Sequence, residues 1–212
     1  MGISTTHLRR DTHKVPLRIA RGHFATNSCH VNYYLDMTYT KHRLAEAQEA
    51  ARELVQKLDK TEPIDTVLCL EGTEVLGTCI AQELINYGIR ITNEHGTIYV
   101  VTPELTSGNQ TIFRSNTAHL IRNRHVLILA ASIATGTMVY DAVNAVKYYG
   151  GIPEEICAVF SAGQKCAGLP IKSIFSADML GDFMYVPAAE CPLCKAGVKL
   201  DALVNSYGIS SL

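Results

Sequence analysis

The chain has 212 residues, enough to bury the core of one domain, and carries 19 Lys and Arg against 20 Asp and Glu for a formal net charge of −1. The basic residues are scattered without a run, which excludes the electrostatic footprint of a nucleic-acid binder. The first thirty residues hold no uninterrupted apolar stretch, and no later run approaches the roughly 20 residues of a spanning helix, so the expectation is a soluble, cytoplasmic protein without signal peptide or membrane partner.

Residues 15–40, with "VNYYLDM", read as an extended β element. Over 41–59, Leu44, Ala47, Ala51, Leu54, Val55 and Leu58 fall on one helical stripe with charges opposite. The apolar run "DTVLCL" at 65–70 predicts a strand, and 73–88 a helix with Val75, Leu76, Cys79, Ile80, Leu84 and Ile85 inward and Gly88 as its stop. "TIYVV" at 97–101 predicts the next strand. The polar stretch 102–124, with Pro103 and Gly108, is long for a loop in a compact domain and reads as a lid over a site. "HVLILA" at 125–130 and "EICAVF" at 155–160 predict two more strands. Between them, 137–149 is a helix inward at Met138, Val139, Ala142, Val143 and Val146 and closed by Gly150. Residues 161–212 hold "FMYV" at 183–186 and a tail punctuated by Cys, Gly and Pro.

Strands apolar on both faces, alternating with helices, predict an α/β domain whose mainly parallel sheet is covered by helices, with ligands at the carboxyl ends of its strands. Residues 15–40 and 161–212 predict a small lobe over a core of about 41–160, all within one domain. The cysteine count of seven is odd, and Cys69, Cys79 and Cys157 lie inside apolar runs, so they read as reduced core residues.

One stretch carries chemistry. "ILAASIATGTM", 128–138, is a strand that breaks into a Thr/Gly turn before a helix, which aims backbone N–H groups and the positive helix end at one spot. A phosphate monoester fits there; so does an ordinary turn capped by Thr135 or Thr137. The stretch resembles the phosphoribosyl-diphosphate (PRPP) motif of the type I phosphoribosyltransferases, with Ala134, Thr135, Gly136, Thr137 and Met138 on the 5′-phosphate loop. Ala130 and Ala131 stand where that family carries two acids. "LCLEGTEVLGTCIA", 68–81, resembles the pyrophosphate loop, with Glu71, Gly72 and Thr73 at its turn. "ARGHFATNSCHVNYYLDMT", 20–38, resembles the N-terminal hood of the orotate branch, and "CPLCKAGVKLDALVNSYG", 191–208, is similar to the ending of some longer members of that branch.

The resemblance implies the type I phosphoribosyltransferase fold and transfer of ribose 5-phosphate from PRPP to a nucleobase in pyrimidine nucleotide synthesis or salvage. It implies Mg2+ accompanying PRPP, a homodimer, and base contacts from Arg21, His23, Tyr33 and Tyr34; packing of both tyrosines under the hood is the competing reading. Segment 102–124 would be the catalytic loop, yet it has no lysine; Arg114 is the candidate contact, or else a solvated charge, with His119, Arg122 and Arg124 the other bases present. The missing acid pair leaves a second function open, a catalytically impaired PRPP- or nucleotide-binding regulatory protein on the same fold. Cys191 and Cys194 form a Cys-x-x-Cys pair: a structural Zn2+ site if Cys166, Cys29 or a histidine completes four ligands, otherwise a reduced turn. The histidines have no helical i, i+4 pair and read as surface or hydrogen-bonded residues.

Overall fold

The apolar runs become the centre of a parallel sheet because each strand's side chains alternate between two helix-covered faces. The computed structural model describes residues 6–8, 14–59, 62–87, 96–108 and 110–212. In chain order it has β1 (Thr6–Leu8), β2 (Leu17–Ala25), β3 (His30–Asp36), α1 (Thr38–His42), α2 (Leu44–Lys57), β4 (Thr66–Cys69), α3 (Glu74–Asn86) and β5 (Tyr99–Val101). There follow β6 (Glu104–Leu105), β7 (Thr111–Ile112), α4 (Ser115–Ala118), β8 (His125–Ile133), α5 (Thr137–Tyr148) and β9 (Ile152–Ser161). The chain ends with β10 (Lys165–Cys166), β11 (Leu169–Ser176), β12 (Tyr185–Val186), α6 (Pro192–Lys195), β13 (Ala202–Asn205) and β14 (Gly208–Ser211).

The main sheet has the order β10-β11-β9-β8-β4-β5. All its neighbours pair in parallel except β10, which runs antiparallel to β11. Along β8, Leu127, Leu129 and Ala131 join a core shared with α2 and α3, while Val126, Ile128 and Ala130 join a second core under α5. The same split divides Val67 and Cys69 from Leu68 on β4, and Cys157 and Val159 from Ile156 and Ala158 on β9.

The smaller sheet, β12-β3-β2-β13-β14 with β1 beside β2, joins 15–40 to the tail. Its own core is Ala20, Phe24, Cys29, Val31, Tyr34, Ala202 and Val204. On its other face Tyr33 and Phe183 pack toward Phe160 at the end of β9, seating this hood over the carboxyl ends of the main strands.

Several boundaries differ from the sequence reading. The helix expected over 41–59 is two helices broken at the extended residue Arg43, and Leu44, placed on the inward stripe, is 59% exposed just past that break. Val75 and Ile85 lie at the rim of the α3 stripe and are exposed. Residues 169–176, assigned to the hood, extend the main sheet beside β9. The lid segment folds into the β6–β7 hairpin and α4. Gly150 closes α5 with φ +78, whereas Gly88 lies outside the described residues.

Candidate functional site

Leu70, just past β4, donates its N–H to Leu129 O of β8 at 2.9 Å, so the turns that follow these neighbouring strands open at the same end of the sheet. After β8 the chain turns through Ala134, Thr135 and Gly136 into α5. Gly136 is the N-cap residue with φ +79, a left-handed conformation that side-chain-bearing residues adopt at a cost. The first N–H groups of α5 have no intrahelical acceptor and point, with the helix dipole, out of this turn. Thr135 and Thr137 are exposed, their hydroxyls 3.2 Å apart, and Ala134 and Met138 flank them half-buried. The N-cap position belongs to Gly136, which has no side-chain cap bond, while the Thr135 hydroxyl accepts the N–H of Thr137, the first residue of α5, at 3.4 Å. Cys166 Sγ lies 3.5 Å from Gly136 O and braces the turn from β10.

The strand does not end where the acid pair would begin. β8 continues to Ile133, leaving Ala130 fully buried opposite Ala158 and Ala131 4% exposed on the other face. Neither side chain offers an oxygen to a ribose hydroxyl or a metal.

In the neighbouring turn, Glu71 and Gly72 both have positive φ, +53 and +76. Thr73 is buried and donates its hydroxyl to Leu70 O at 2.9 Å, so it closes the turn rather than facing a ligand. Sequence reasoning missed Lys41, which is 4% exposed and passes beside Gly72; a Cβ on that glycine would lie 3.3 Å from Lys41 Nζ. Lys41 Nζ donates to Ser206 O, in the turn between β13 and β14, at 2.8 Å. Burial pushes the Lys41 ammonium down from its usual range, and Glu71 and Glu74 oppose that shift. Burial pushes the Glu71 carboxyl up, opposed by its Ser206 hydrogen bond and by Lys41. A signal was available: Lys41 lies one helical turn after buried Met37, and its N–H bonds Met37 O at 2.9 Å.

Arg114 sits at the end of the lid hairpin, exposed and held as a fork by Glu104, Nε to Oε2 at 2.6 Å and Nη2 to Oε1 at 2.5 Å. The two line a cavity of about 390 Å3 with Thr102, Ile112 and Asn116. Thr102 also donates to Glu74 Oε1 at 3.1 Å, tying the root of the lid to the turn after β4.

The four residues read as base contacts separate. Tyr33 and Tyr34, adjacent in a strand, face opposite sides of the hood sheet. Tyr33 donates its hydroxyl to Asp182 Oδ1 at 2.6 Å and stacks on Phe183, with Arg21, itself paired to Asp182, 5.8 Å over its ring. Tyr34 packs edge-on to Phe24 in the hood core. His23 is 1% exposed, its ring nitrogens beside Val198 O, His30 and Cys191 rather than beside Arg21 and Tyr33. A register shift between Arg21 and Phe24 marks a bulge in β2, and a bulge re-aims side chains.

His23 meets His30 and the cysteine pair there. His23 Nε2 lies 3.0 Å from His30 Nδ1, 3.4 Å from Cys191 Sγ and 3.6 Å from Cys194 Sγ, and Cys194 Sγ lies 3.3 Å from His30 Nδ1. The other suggested partners of the pair are elsewhere: Cys29 bonds within its own turn to Thr26, and Cys166 braces Gly136.

No protein-family model matches the chain, and no curated protein matches it by sequence. Solved structures do match by shape. A phosphoribosyltransferase from Corynebacterium diphtheriae is 14% identical over 77% of this chain and 90% of its own, with a TM-score of 0.54. An orotate phosphoribosyltransferase from Aeropyrum pernix is 14% identical over 85% and 93%, with a TM-score of 0.54. An adenine phosphoribosyltransferase from Thermoanaerobacter pseudethanolicus is 17% identical over 68% and 88%, with a TM-score of 0.51. The parallel sheet, the two turns at its carboxyl end and the hood over them are thus one architecture: the chain has the type I phosphoribosyltransferase fold.

Proposed function

We propose that this protein is a phosphoribosyltransferase-type protein of the orotate-like branch, which takes PRPP with its 5′-phosphate on the loop 134–138. The carrying observation is the Gly136 turn, where a left-handed glycine opens the N-terminus of a 12-residue helix between two exposed threonine hydroxyls. The pyrophosphate would lie toward Gly72, near the buried Lys41 ammonium. Arg114 would approach it from the lid after leaving Glu104, and Tyr33 with Arg21 would border the base. A homodimer and a cytoplasmic location belong to the same proposal; among the described residues no helix is long and apolar enough to cross a membrane.

Transfer requires stabilisation of a positively charged ribosyl centre while pyrophosphate leaves. The residues here do not fit the metal-and-ribose arrangement implied by the resemblance. Ala130 and Ala131 provide no ligand, and of the nearby carboxylates Glu71 is pushed toward its neutral form. That observation favours a second reading, binding of PRPP or a nucleotide without efficient transfer.

The test is to mix the purified protein with PRPP, Mg2+ and orotate and follow the absorbance of orotate, beside a thermal scan with PRPP, ribose 5-phosphate or UMP. A raised midpoint with orotate consumption supports transfer. A raised midpoint without consumption of orotate, uracil or adenine supports the binding reading. If no phosphoribosyl compound raises the midpoint, both readings fall.

A further inference from the structure

We infer that His23, His30, Cys191 and Cys194 form a four-ligand structural Zn2+ site that staples the C-terminal tail to the hood. One ligand atom from each residue lies within 4.8 Å of every other. Around a tetrahedral zinc with bonds of about 2.0 Å to nitrogen and 2.3 Å to sulfur, the expected separations are about 3.3 Å for N–N and 3.5 Å for N–S. The observed pairs, 3.0 Å for N–N and 3.3, 3.4 and 3.6 Å for N–S, need only small adjustments to admit the ion.

The surroundings are also built for a ligand set. His23 Nδ1 lies 2.9 Å from Val198 O, which fixes Nδ1 as the donor and leaves Nε2 with its lone pair facing the other three groups. The bulge in β2 puts His23 there, and it depends on Gly22: a Cβ at that residue would lie 2.6 Å from Asp201 Oδ2 and 2.7 Å from Phe24 Cζ. Asp201 Oδ2 accepts the His23 N–H at 2.8 Å, and the Asp201 N–H bonds His23 O at 2.8 Å. Pro192 starts α6 between the two cysteines, and Lys195 N–H bonds Cys191 O at 3.1 Å, so both thiols project from one tight turn. Two thiolates with two neutral imidazoles make the Zn2+ complex electrically neutral, which suits a site where Cys191 and His23 are buried.

The tail has no other anchor of this kind. From 187 to 201 the one buried residue is Cys191, so this stretch makes almost no apolar core of its own. A metal linking it to β2 and β3 supplies the folding free energy that burial does not. It also fixes the start of β13, whose following turn presents Ser206 O to Lys41.

The experiment is elemental analysis of full-length protein purified under reductant, beside His30→Ala, Cys194→Ser and the control Cys166→Ser. One zinc per chain is expected in the natural protein and the control, falling to below about one tenth in the two ligand variants. If a variant does not fold, the natural protein is stripped with chelator and titrated with Co2+, which should give the absorption of a tetrahedral thiolate complex at one equivalent. Metal removal should lower the thermal midpoint by roughly 5–10 °C and open 187–212 to protease. Absence of zinc with no Co2+ complex, a different native metal, or full zinc in both variants each overturns the assignment. These readouts are independent of PRPP binding.

Discussion

Restoring the acid pair, Ala130→Asp with Ala131→Asp, asks whether the alanines are a simple loss of two side chains or part of a repacked strand. Both lie inside β8, Ala130 fully buried between the main sheet and α5 and Ala131 4% exposed toward α2 and α3. Each aspartate would bring a carboxyl group into alanine-sized apolar space. Overpacking alone costs about 1–3 kcal/mol, and an uncompensated buried charge costs about 3–5 kcal/mol. The carboxyls escape part of that by staying protonated, so the expected net loss is about 4 kcal/mol at pH 7. At roughly 2–4 °C per kcal/mol for a chain of this size, the midpoint should fall by about 8–16 °C. The sign with pH follows: a carboxyl raised in the folded state carries no charge penalty below its unfolded value, and the full penalty appears as pH rises through the raised folded value. Urea melts at about pH 4 and pH 7 should therefore show the variant closer to the natural protein at the lower pH. A double variant as stable as the natural protein at pH 7, with stronger Mg2+-dependent PRPP binding, would refute the repacking argument.

Glu46→Gln should destabilise by about 3 kcal/mol in urea at pH 7, because it breaks the buried fork from Arg18, Nη1 to Oε2 at 2.7 Å and Nη2 to Oε1 at 2.8 Å. Arg18 holds the Glu46 carboxyl below the usual range, so this stabilisation is present above the unfolded value and lost as pH falls through the folded one. The variant should accordingly lack that part of the acid limb below about pH 4. Gly22→Ala should lower the midpoint by roughly 5 °C or more, since its Cβ would lie 2.6 Å from Asp201 Oδ2, while Gly163→Ala, nearest to Lys165 O at 3.9 Å, should leave a thermal scan unchanged. Ribose 5-phosphate binding, followed by calorimetry, should change less than about twofold between excess Mg2+ and excess EDTA, because no carboxylate stands at 130 or 131 to require a cation; a tenfold loss in EDTA would count against the reading of these alanines.

The main sheet was legible because its strands are apolar on both faces and its helices keep a 3.6-residue period. Boundaries moved where tertiary contacts overruled pattern: the stripe from Leu44 ignored the break at Arg43, and β11 was hidden because Leu169–Ile171 mixes half-buried residues with a proline. The Gly136 turn was visible in the order strand, threonine, glycine, helix. The site's other half was not, because its partners are distant in sequence. Lys41 meets Ser206 across 165 positions, and His23 meets Cys191 across 168. As a sequence pair Tyr33 and Tyr34 suggest one shared role, whereas strand alternation puts them on opposite faces with two. Helical i, i+4 spacing does not reveal His23 and His30, because their spacing belongs to a bulged hairpin that converges on a separate turn.

The two turns at the end of the sheet differ in charge, and that difference shapes what they can hold. At 134–138 the proposed phosphate loop offers backbone N–H groups and threonine hydroxyls, with no carboxylate side chain at 130 or 131 behind it. At 70–73 the buried cation among the described residues, Lys41, already gives a hydrogen bond to Ser206 O and lies beside Glu71. A pyrophosphate arriving there must displace or share that ammonium, and Glu71 must be neutral or turned away to avoid like-charge repulsion. Burial pushes the Glu71 carboxyl up, in the direction that eases this repulsion, while its Ser206 hydrogen bond and Lys41 oppose that shift. The β13–β14 turn therefore reaches, through Ser206 O and Lys41, the turn where the proposed function would place the leaving group. Under the proposed function, then, a 5′-monophosphate would need no rearrangement at 134–138, whereas a diphosphate at 70–73 would require Lys41 to give up or share its bond to Ser206 O.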